Sequence, residues 1–465
     1  MDGISPVTGH FTRVLIALAA VTLCSCSRTG DAAPVAAADS VPVAADSVPV
    51  AAADSVPATA AESVAPVAQT AANTHKQKTI VTVATAKDGA KLEDFCTDAS
   101  GRILALLGPA GPGEGGDGSL LGGALRFLKG ASPAAPKFEC AVHVFNTKGE
   151  LLQKWPVGFS GQAINTAPDG TILVGGDGRI ARFDSEGKKL LEEESPQMTY
   201  IKQNPDEMRE RAQEQLETDR AMYTERIQEF EDQLKEVAES KKEKKNDKET
   251  EDESLELDEG SLKPILAAYR EQLKRLEKKT VDEALKEVTS RAQRINAICA
   301  GEGDVFVTCP AMQGYGYGVW RTDDKFSNAK EIVKSLSGCC GQMDVQCCNG
   351  ELYVCENSKH RVVRFNRDGK EIGEFGKRDR DGEGESFGGC CNPMNLCFNK
   401  GGDLYVSESN GVVKRFTPAG KYLGIVGVAD VQPGCKNSCV AATADDSHVF
   451  YIDIYKSQII VLARE

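Results

Sequence analysis

Histidine is scarce in this chain of 465 residues, and the common catalytic signatures are missing. The five histidines are His10, His75, His143, His360 and His448. They supply no Ser-His-Asp arrangement, and the sequence also lacks a Cys-x-x-C pair, a phosphate-binding glycine loop and a paired-carboxylate signature. The absence of a recognisable catalytic motif favours a binding protein over an enzyme.

Positive charge is also in short supply. The chain carries 55 Lys and Arg against 69 Asp and Glu, which gives a formal net charge of −14. Nucleic acids are polyanions and are bound through clustered cations, so this balance argues against a nucleic acid partner.

The apolar run at residues 14–23 is too short to cross a bilayer and matches the core of a signal peptide. The following residues, Leu23-Cys24-Ser25-Cys26, resemble the bacterial lipobox. This resemblance implies that residues 1–25 are removed and that a lipid is attached to the sulfur of Cys26. We therefore expect an extracytoplasmic lipoprotein of the bacterial cell envelope, held at a membrane by its lipid anchor.

Residues 27–77 consist mainly of Ala, Pro, Ser and Val in AADSVPVA-like repeats. Such a composition cannot bury a hydrophobic core, so this low-complexity segment is expected to act as a linker. It would hold the remaining chain away from the membrane.

Internal repeats dominate the rest of the sequence. Residues 351–370 and 402–421 are two copies of one unit, in which an apolar strand, a polar turn, a second apolar strand and a glycine turn follow each other. The first apolar strand recurs six times in all, starting near residues 101, 170, 303, 351, 402 and 448. A repeat of this length is typical of solenoids and propellers.

The unit resembles the NHL repeat through Asn357, His360, Arg361, Val362 and Gly369. The resemblance covers most of residues 78–465 and implies an all-β fold, a six-bladed NHL-type β-propeller with four-stranded blades. Unpaired strands at residues 78–85 and 458–464 would together complete one blade, closing the ring and removing its edges.

A helical pattern at residues 203–295 interrupts the repeats. Asn204, Pro205 and Glu207 form a typical helix start, and apolar residues recur at helical spacing on both sides of the charged segment 241–260. We expect an antiparallel coiled-coil hairpin whose return helix covers about residues 262–295. It is either a solvated spike or an arm for a partner or for self-association.

Sixteen cysteines are many for an exported chain. Several of them precede the innermost strand of a blade, and others end its second strand. The topology of a propeller blade predicts that these thiols meet at one mouth of the channel. The predicted mouth set comprises Cys309, Cys339, Cys340, Cys355, Cys390, Cys391, Cys435 and Cys439. The predicted deeper set comprises Cys96, Cys299, Cys347, Cys348 and Cys397, whereas Cys140 lies apart in an outer strand.

Three interpretations of the mouth set remain open. The thiols could form structural disulfides between blades, hold zinc, copper or an iron–sulfur centre, or undergo redox chemistry as adjacent pairs. The first fits a membrane-tethered binding or scaffold module that presents this face to a protein, peptide or glycan. The others fit a Cys-ligated, metal-dependent enzyme or redox protein with its site at the channel mouth.

Overall fold

The computed structural model describes residues 73–85, 88–110, 138–244, 259–339, 341–432, 434 and 437–465. The predicted signal peptide, the lipidation site Cys26 and the linker up to residue 72 lie outside these ranges, as do Cys340 and Cys435. No helix in the described ranges is long and apolar enough to cross a membrane.

The described chain is mostly β-strand and forms six four-stranded antiparallel sheets, which is consistent with a β-propeller. The first described strand, β1 His75–Thr82, belongs to sheet 6, where it lies beside the last three strands of the chain. Sheet 1 contains β2 Ala90–Thr97, β3 Ile103–Pro109, β4 Ala141–Phe145 and β5 Leu151–Pro156. Sheet 2 contains β6 Ala163–Thr166, β7 Ile172–Gly176, β8 Arg179–Phe183 and β9 Lys189–Glu194. Sheet 3 contains β10 Ala297–Gly301, β11 Asp304–Pro310, β12 Tyr317–Asp323 and β13 Lys330–Leu336.

The two clearest sequence units form the centres of the next two sheets. Sheet 4 contains β14 Val345–Cys348, β15 Glu351–Glu356, β16 Arg361–Asn366 and β17 Glu371–Phe375. Sheet 5 contains β18 Asn395–Phe398, β19 Leu404–Ser407, β20 Val412–Phe416 and β21 Tyr422–Val428. Sheet 6 contains β22 Val440–Ala442, β23 His448–Asp453, β24 Gln458–Arg464 and β1.

The first strands of consecutive sheets contact each other in order, and β22 also contacts β2, so the six strands form a closed ring. A hydrophobic cluster lies between each pair of neighbouring sheets. Because successive side chains of a strand point to opposite faces, Leu352 packs toward sheet 3 and Tyr353 toward sheet 5. Both faces of the second strand of each sheet are therefore buried, which explains why this strand is an apolar run in the sequence.

The first and last described strands pair with each other and close the ring, as the sequence predicted. Strand β1 pairs antiparallel with β24, with His75 opposite Arg464 and Thr82 opposite Gln458. The strand begins at His75 rather than at residue 78. The buried imidazole of His75 contacts the carbonyl oxygen of Asp446 at 3.0 Å, which fixes this earlier start.

Four helices lie between sheets 2 and 3: α1 Pro196–Gln203, α2 Pro205–Lys244, α3 Glu259–Lys278 and α4 Val281–Ala292. Contacts of Arg220 with Leu276 and of Phe230 with Tyr269 show that α2 and α3 run antiparallel. The predicted single return helix is interrupted at Thr280. Its side chain accepts a hydrogen bond from the Glu283 N–H, and the Glu283 carboxylate accepts one from the Thr280 N–H. This capping box starts a new helix.

Candidate functional site

The structure distributes the predicted mouth cysteines over different environments. Cys309, Cys355 and Cys439 are buried free thiols in three separate hydrophobic clusters. Cys309 packs with residues of α1, α2 and α4 and with Trp320, so the helical insertion covers it. These three thiols are therefore not brought together, and among them Cys439 lines the central cavity.

The other described members of the mouth set lie in the segments that lead into β14 and β18. Cys339 is fixed through its backbone, because its N–H donates to Asn357 Oδ1 at 2.8 Å and its carbonyl accepts from Asn357 Nδ2 at 3.3 Å. Cys390 and Cys391 have their sulfur atoms 3.0 Å apart. Cys390 is exposed, whereas Cys391 is buried.

Three members of the predicted deeper set do line the ring interior, namely Cys96, Cys347 and Cys397. Cys299 is buried beside Cys347 in the cluster between sheets 3 and 4, and Cys348 packs against the cluster between sheets 4 and 5. Burial raises the pKa of the Cys96 thiol to about 12 and that of the Cys347 thiol to about 11. These thiols stay protonated at neutral pH and are poor nucleophiles and poor metal ligands in that state.

Two adjoining cavities occupy the interior of the ring. The upper cavity, about 310 Å³, lies where the first strands begin, and the lower cavity, about 220 Å³, extends along these strands. Four residues line both cavities: Asp94, Asp344, Asn395 and Cys439. We call these four residues the waist.

Equivalent positions in four sheets produce the waist. Asp94 stands opposite Leu106, and Asn395 stands opposite Ser407. The N–H groups of Cys355 and Ile452 donate to the carbonyl oxygens of Asp344 and Cys439, which places these two residues at the same level of their sheets. The sequence units therefore repeat a polar or thiol side chain at one height around the ring.

Each polar waist side chain also connects its sheet to the next. Asp94 Oδ2 accepts from the Ile164 N–H at 3.0 Å, Asp344 Oδ2 from the Leu396 N–H at 2.8 Å and Asn395 Oδ1 from the Val440 N–H at 2.9 Å. Gln162 makes the corresponding contact between sheets 2 and 3, accepting from the Ile295 N–H at 2.9 Å. These side chains thus satisfy buried backbone donors at the sheet boundaries.

The two waist carboxyl groups have raised pKa values. Burial raises the pKa of Asp94 to about 6 and that of Asp344 to about 7, although both accept backbone hydrogen bonds that favour the ionised form. The charge of Asp94 contributes to the shift at Asp344. Near neutral pH the waist therefore carries less negative charge than two ordinary carboxylates, and a protonated group can donate a hydrogen bond.

The upper cavity is lined mainly by polar groups. They include Lys91, Glu93, Gln162, Arg294, Asn296, Gln342 and Asn437. Lys91 and Glu93 form an ion pair at 3.5 Å, and the Arg294 guanidinium donates to the Gly341 carbonyl at 3.0 Å. Asn296 donates through Nδ2 to the same carbonyl at 2.5 Å, and its buried Oδ1 has no hydrogen-bond partner among the described residues. A ligand donor reaches this oxygen only if the Asn296 side chain turns toward the cavity.

The lower cavity contains an amide bridge. Asn165 Nδ2 donates to Gln346 Oε1 at 2.9 Å and to the Ile298 carbonyl at 3.0 Å, which links sheets 2, 3 and 4. The upper cavity is the larger of the two, and a greater share of its lining residues carry polar side chains. It is therefore the better candidate for ligand binding.

Apart from Cys439, which belonged to the predicted mouth set, sequence reasoning did not predict the residues of the waist or of the upper cavity. Aligning the six units by their second strands would have placed Asp94, Asp344, Asn395 and Cys439 at one level and the polar residues before them at the mouth. The cysteine doublets drew the prediction toward sulfur instead.

A metal centre is not apparent in the part of the chain that the structure describes, where no three or more His, Cys, Asp and Glu residues are grouped so that they could hold an ion. Two members of the predicted ligand set, Cys340 and Cys435, lie outside that part. The interpretation of a zinc, copper or iron–sulfur site thus stays a prediction.

No protein-family model and no curated protein matches this chain. Among solved structures, a gluconolactonase from Xanthomonas campestris is 12% identical, with 82% of this chain and 88% of that chain covered and a TM-score of 0.38. Regucalcin from Agrobacterium tumefaciens, a calcium-binding protein, is 12% identical, with 85% and 96% covered and a TM-score of 0.38. Virginiamycin B lyase from Staphylococcus aureus is 10% identical, with 83% and 99% covered and a TM-score of 0.36. Similarity at this level carries no argument about activity.

Proposed function

We propose that this protein is a membrane-tethered, extracytoplasmic binding module with a six-bladed NHL-type propeller. The upper cavity is its ligand site, and it takes a polar segment of a partner, such as a sugar unit of a glycan or an exposed stretch of a peptide. The six sheets and their ring of first strands support the propeller assignment. The lipobox-like sequence before Cys26 supports the tether.

The single observation that carries the binding proposal is the polar lining of the upper cavity, to which Asn296, Arg294, Lys91 and Glu93 contribute. Asn296 Oδ1 is buried without a donor among the described residues, and a turn of this side chain toward a ligand hydroxyl or amide N–H would recover the free energy that the unsatisfied oxygen costs. Arg294, Lys91 and Glu93 surround the same cavity and can orient a ligand by charge-assisted hydrogen bonds. The cavity volume of about 310 Å³ suits one or two sugar units or amino-acid residues rather than a folded surface.

Binding can be tested by probing glycan and peptide arrays with the purified, labelled protein. A captured ligand should bind the Asn296→Ala and Arg294→Ala variants at least about tenfold more weakly, as expected when a buried hydrogen bond is lost. Arg275→Ala is the matched control, because Arg275 is an exposed arginine of α3. Equal affinity of all variants would place the ligand elsewhere and contradict the proposal.

The alternative of a Cys-ligated, metal-dependent enzyme or redox protein at the same face is distinguished by metal analysis of protein prepared without chelators. Near-stoichiometric zinc, copper or iron that is lost in a Cys390→Ser/Cys391→Ser variant would favour it. Metal-free protein that still captures a ligand would favour the binding module.

A further inference from the structure

Cys390 and Cys391 differ from every other described cysteine. Cys390 is the only exposed cysteine of the described residues, and its sulfur lies 3.0 Å from that of its buried neighbour. Two sulfur atoms at this distance are closer than a usual non-bonded contact and need little movement to form a bond of about 2.05 Å. One member of the pair can thus be reached from solvent, while the other is held against it.

The backbone around the pair is fixed on both sides. Before it, the Gly388 N–H donates to Glu408 Oε2 at 3.1 Å, and the His360 imidazole contacts the Gly389 carbonyl at 3.1 Å. After it, Asn392 Nδ2 donates to the Gly388 carbonyl at 2.7 Å, and Asn392 Oδ1 accepts from the Ser409 N–H at 2.8 Å. Side chains of sheets 4 and 5 thus fix the backbone on either side of the two cysteines before any bond forms.

Packing beneath the segment adds to this rigidity. Lys414 is buried, and its ammonium group donates to the carbonyl oxygens of Gly382 and Ser386 and pairs with Glu408 at 2.7 Å. Phe387 is fully buried in the cluster between sheets 4 and 5. A segment anchored in this way keeps the backbone of the two cysteines in place, so that only side-chain rotation changes the distance between their sulfur atoms.

We propose that Cys390 and Cys391 form a redox-active dithiol pair that exchanges with disulfides of a small molecule or a protein. In the oxidising direction the Cys390 thiolate attacks a disulfide RSSR, forming a mixed disulfide and releasing one RS⁻. The Cys391 thiolate then attacks the Cys390 sulfur, which forms the Cys390–Cys391 bond and releases the second RS⁻. Two thiols are oxidised, RSSR is reduced to two RSH, and the two thiol protons pass to the leaving groups.

Exposure determines the order of these steps. Cys390 is the entry sulfur because RSSR can reach it, and Cys391 resolves the mixed disulfide from its buried position. Cys96 and Cys347 line the lower cavity and have raised pKa values because of burial, so they react slowly with RSSR from solvent at neutral pH. A disulfide between adjacent residues departs from ordinary disulfide geometry, and strained disulfides are more easily reduced. The pair is accordingly suited to reversible exchange rather than to permanent stapling.

The proposal is tested by equilibrating the purified full-length protein with mixtures of reduced and oxidised glutathione, followed by acid quenching, thiol alkylation and tryptic peptide mapping. The peptide of residues 381–400 contains Cys390, Cys391 and Cys397. In oxidising mixtures it should carry one alkyl group, on Cys397, and be two hydrogen atoms lighter than the same singly alkylated peptide with two free thiols. In reducing mixtures it should return to three alkylated cysteines. Cys390→Ser should slow oxidation by glutathione disulfide at least about tenfold, because the entry sulfur is lost. Cys348→Ser is the control and should leave this reaction unchanged.

Three results would overturn the proposal. The peptide could stay fully reduced at every ratio, Cys390 could hold glutathione without passing it to Cys391, or Cys391 could be found bonded to a different cysteine. The wild-type peptide map gives these answers without relying on any variant to fold. Ligand capture at the upper cavity is measured separately, so failure of one proposal leaves the other untouched.

Discussion

Side chains at the waist already accept hydrogen bonds within the protein, and this limits the groups that they can offer to a ligand. Asp94, Asp344 and Asn395 each accept an N–H from the next sheet, so they hold the ring together before they contact anything else. An amide performs this task in sheet 5 and a carboxyl group in sheets 1 and 4. The carboxyl group therefore adds a pH response that the amide does not have.

Replacing Asp344 by Asn should reveal this response in the free energy of unfolding. The folded-state pKa of Asp344, about 7, lies above the ordinary aspartate value of 3.8, so the folded protein binds the extra proton and loses stability as pH rises between these values. Asp344→Asn removes this loss and keeps an acceptor for the Leu396 N–H. The free energy of unfolding of the variant minus that of the wild type should therefore be about 1–3 kcal/mol larger at pH 8 than at pH 5.

Urea denaturation at the two pH values measures the effect of Asp344→Asn. Asp324→Asn, at an exposed position, should show no pH-dependent difference. A constant difference for Asp344→Asn across the range would contradict the raised pKa.

Lys414 provides a second prediction at this scale. Its side chain and that of Glu408 are each only 2% exposed and form an ion pair at 2.7 Å. Lys414→Met leaves a buried carboxylate without its cation, which should cost about 3–5 kcal/mol of unfolding free energy. The double variant Lys414→Met/Glu408→Leu should recover part of this loss in denaturation experiments. Additive losses would show that the two side chains do not act as a pair.

Among the secondary-structure elements, the helical insertion differs most from the sequence-based prediction, which expected a single return helix. Arg220 of α2 donates to the carbonyl oxygens of Leu276 and Lys279 at 2.8 and 3.1 Å, at the point where α3 ends. The capping box at Thr280 then starts α4, which packs through Val288 and Ala292 on the cluster that covers Cys309. The break thus turns the return helix toward sheet 3.

Thr280→Ala should destabilise α4 by about 1 kcal/mol, the usual loss for removal of an N-cap side chain. Hydrogen exchange should accelerate at the first turn of α4 and leave α2 unchanged. Thr224→Ala is the matched control, because Thr224 lies within α2 and donates to the Arg220 carbonyl rather than capping a helix. Equal effects of the two substitutions would argue against the capping role.

The sequence predicted the strands well and the site poorly, for one physical reason. Strand periodicity and turn glycines act locally. At Gly369, for example, φ is +82° and a Cβ atom would lie 1.9 Å from the Ile332 carbonyl oxygen, so the glycine of the unit is readable in the sequence. The positions of Cys309 and Asp344 depend on contacts between sheets and helices that are distant in sequence. These contacts cannot be derived from the spacing of residues within one sequence unit.

For the whole molecule, the pairing of β1 with β24 covers the edge of β24 that would otherwise be open. A chain that starts after residue 85 lacks β1 and exposes β24 along its length. It should melt at a lower temperature and aggregate in proportion to its concentration, because an open edge pairs with other chains. A chain that starts at residue 73 keeps β1 and should match the full-length protein in both light scattering and melting temperature. Identical behaviour of the two truncated chains would show that β1 does not stabilise the ring.

Closure of the ring also sets the order of events during synthesis. The His75 and Arg464 partners lie at opposite ends of the folded chain, so β1 reaches its place only after the last strand has left the ribosome. Five sheets consist of consecutive strands and can form as they emerge, whereas the sixth must wait. Residues 75–82 therefore remain available to chaperones and proteases throughout this interval, and the time needed to complete the chain becomes part of the protein's folding time.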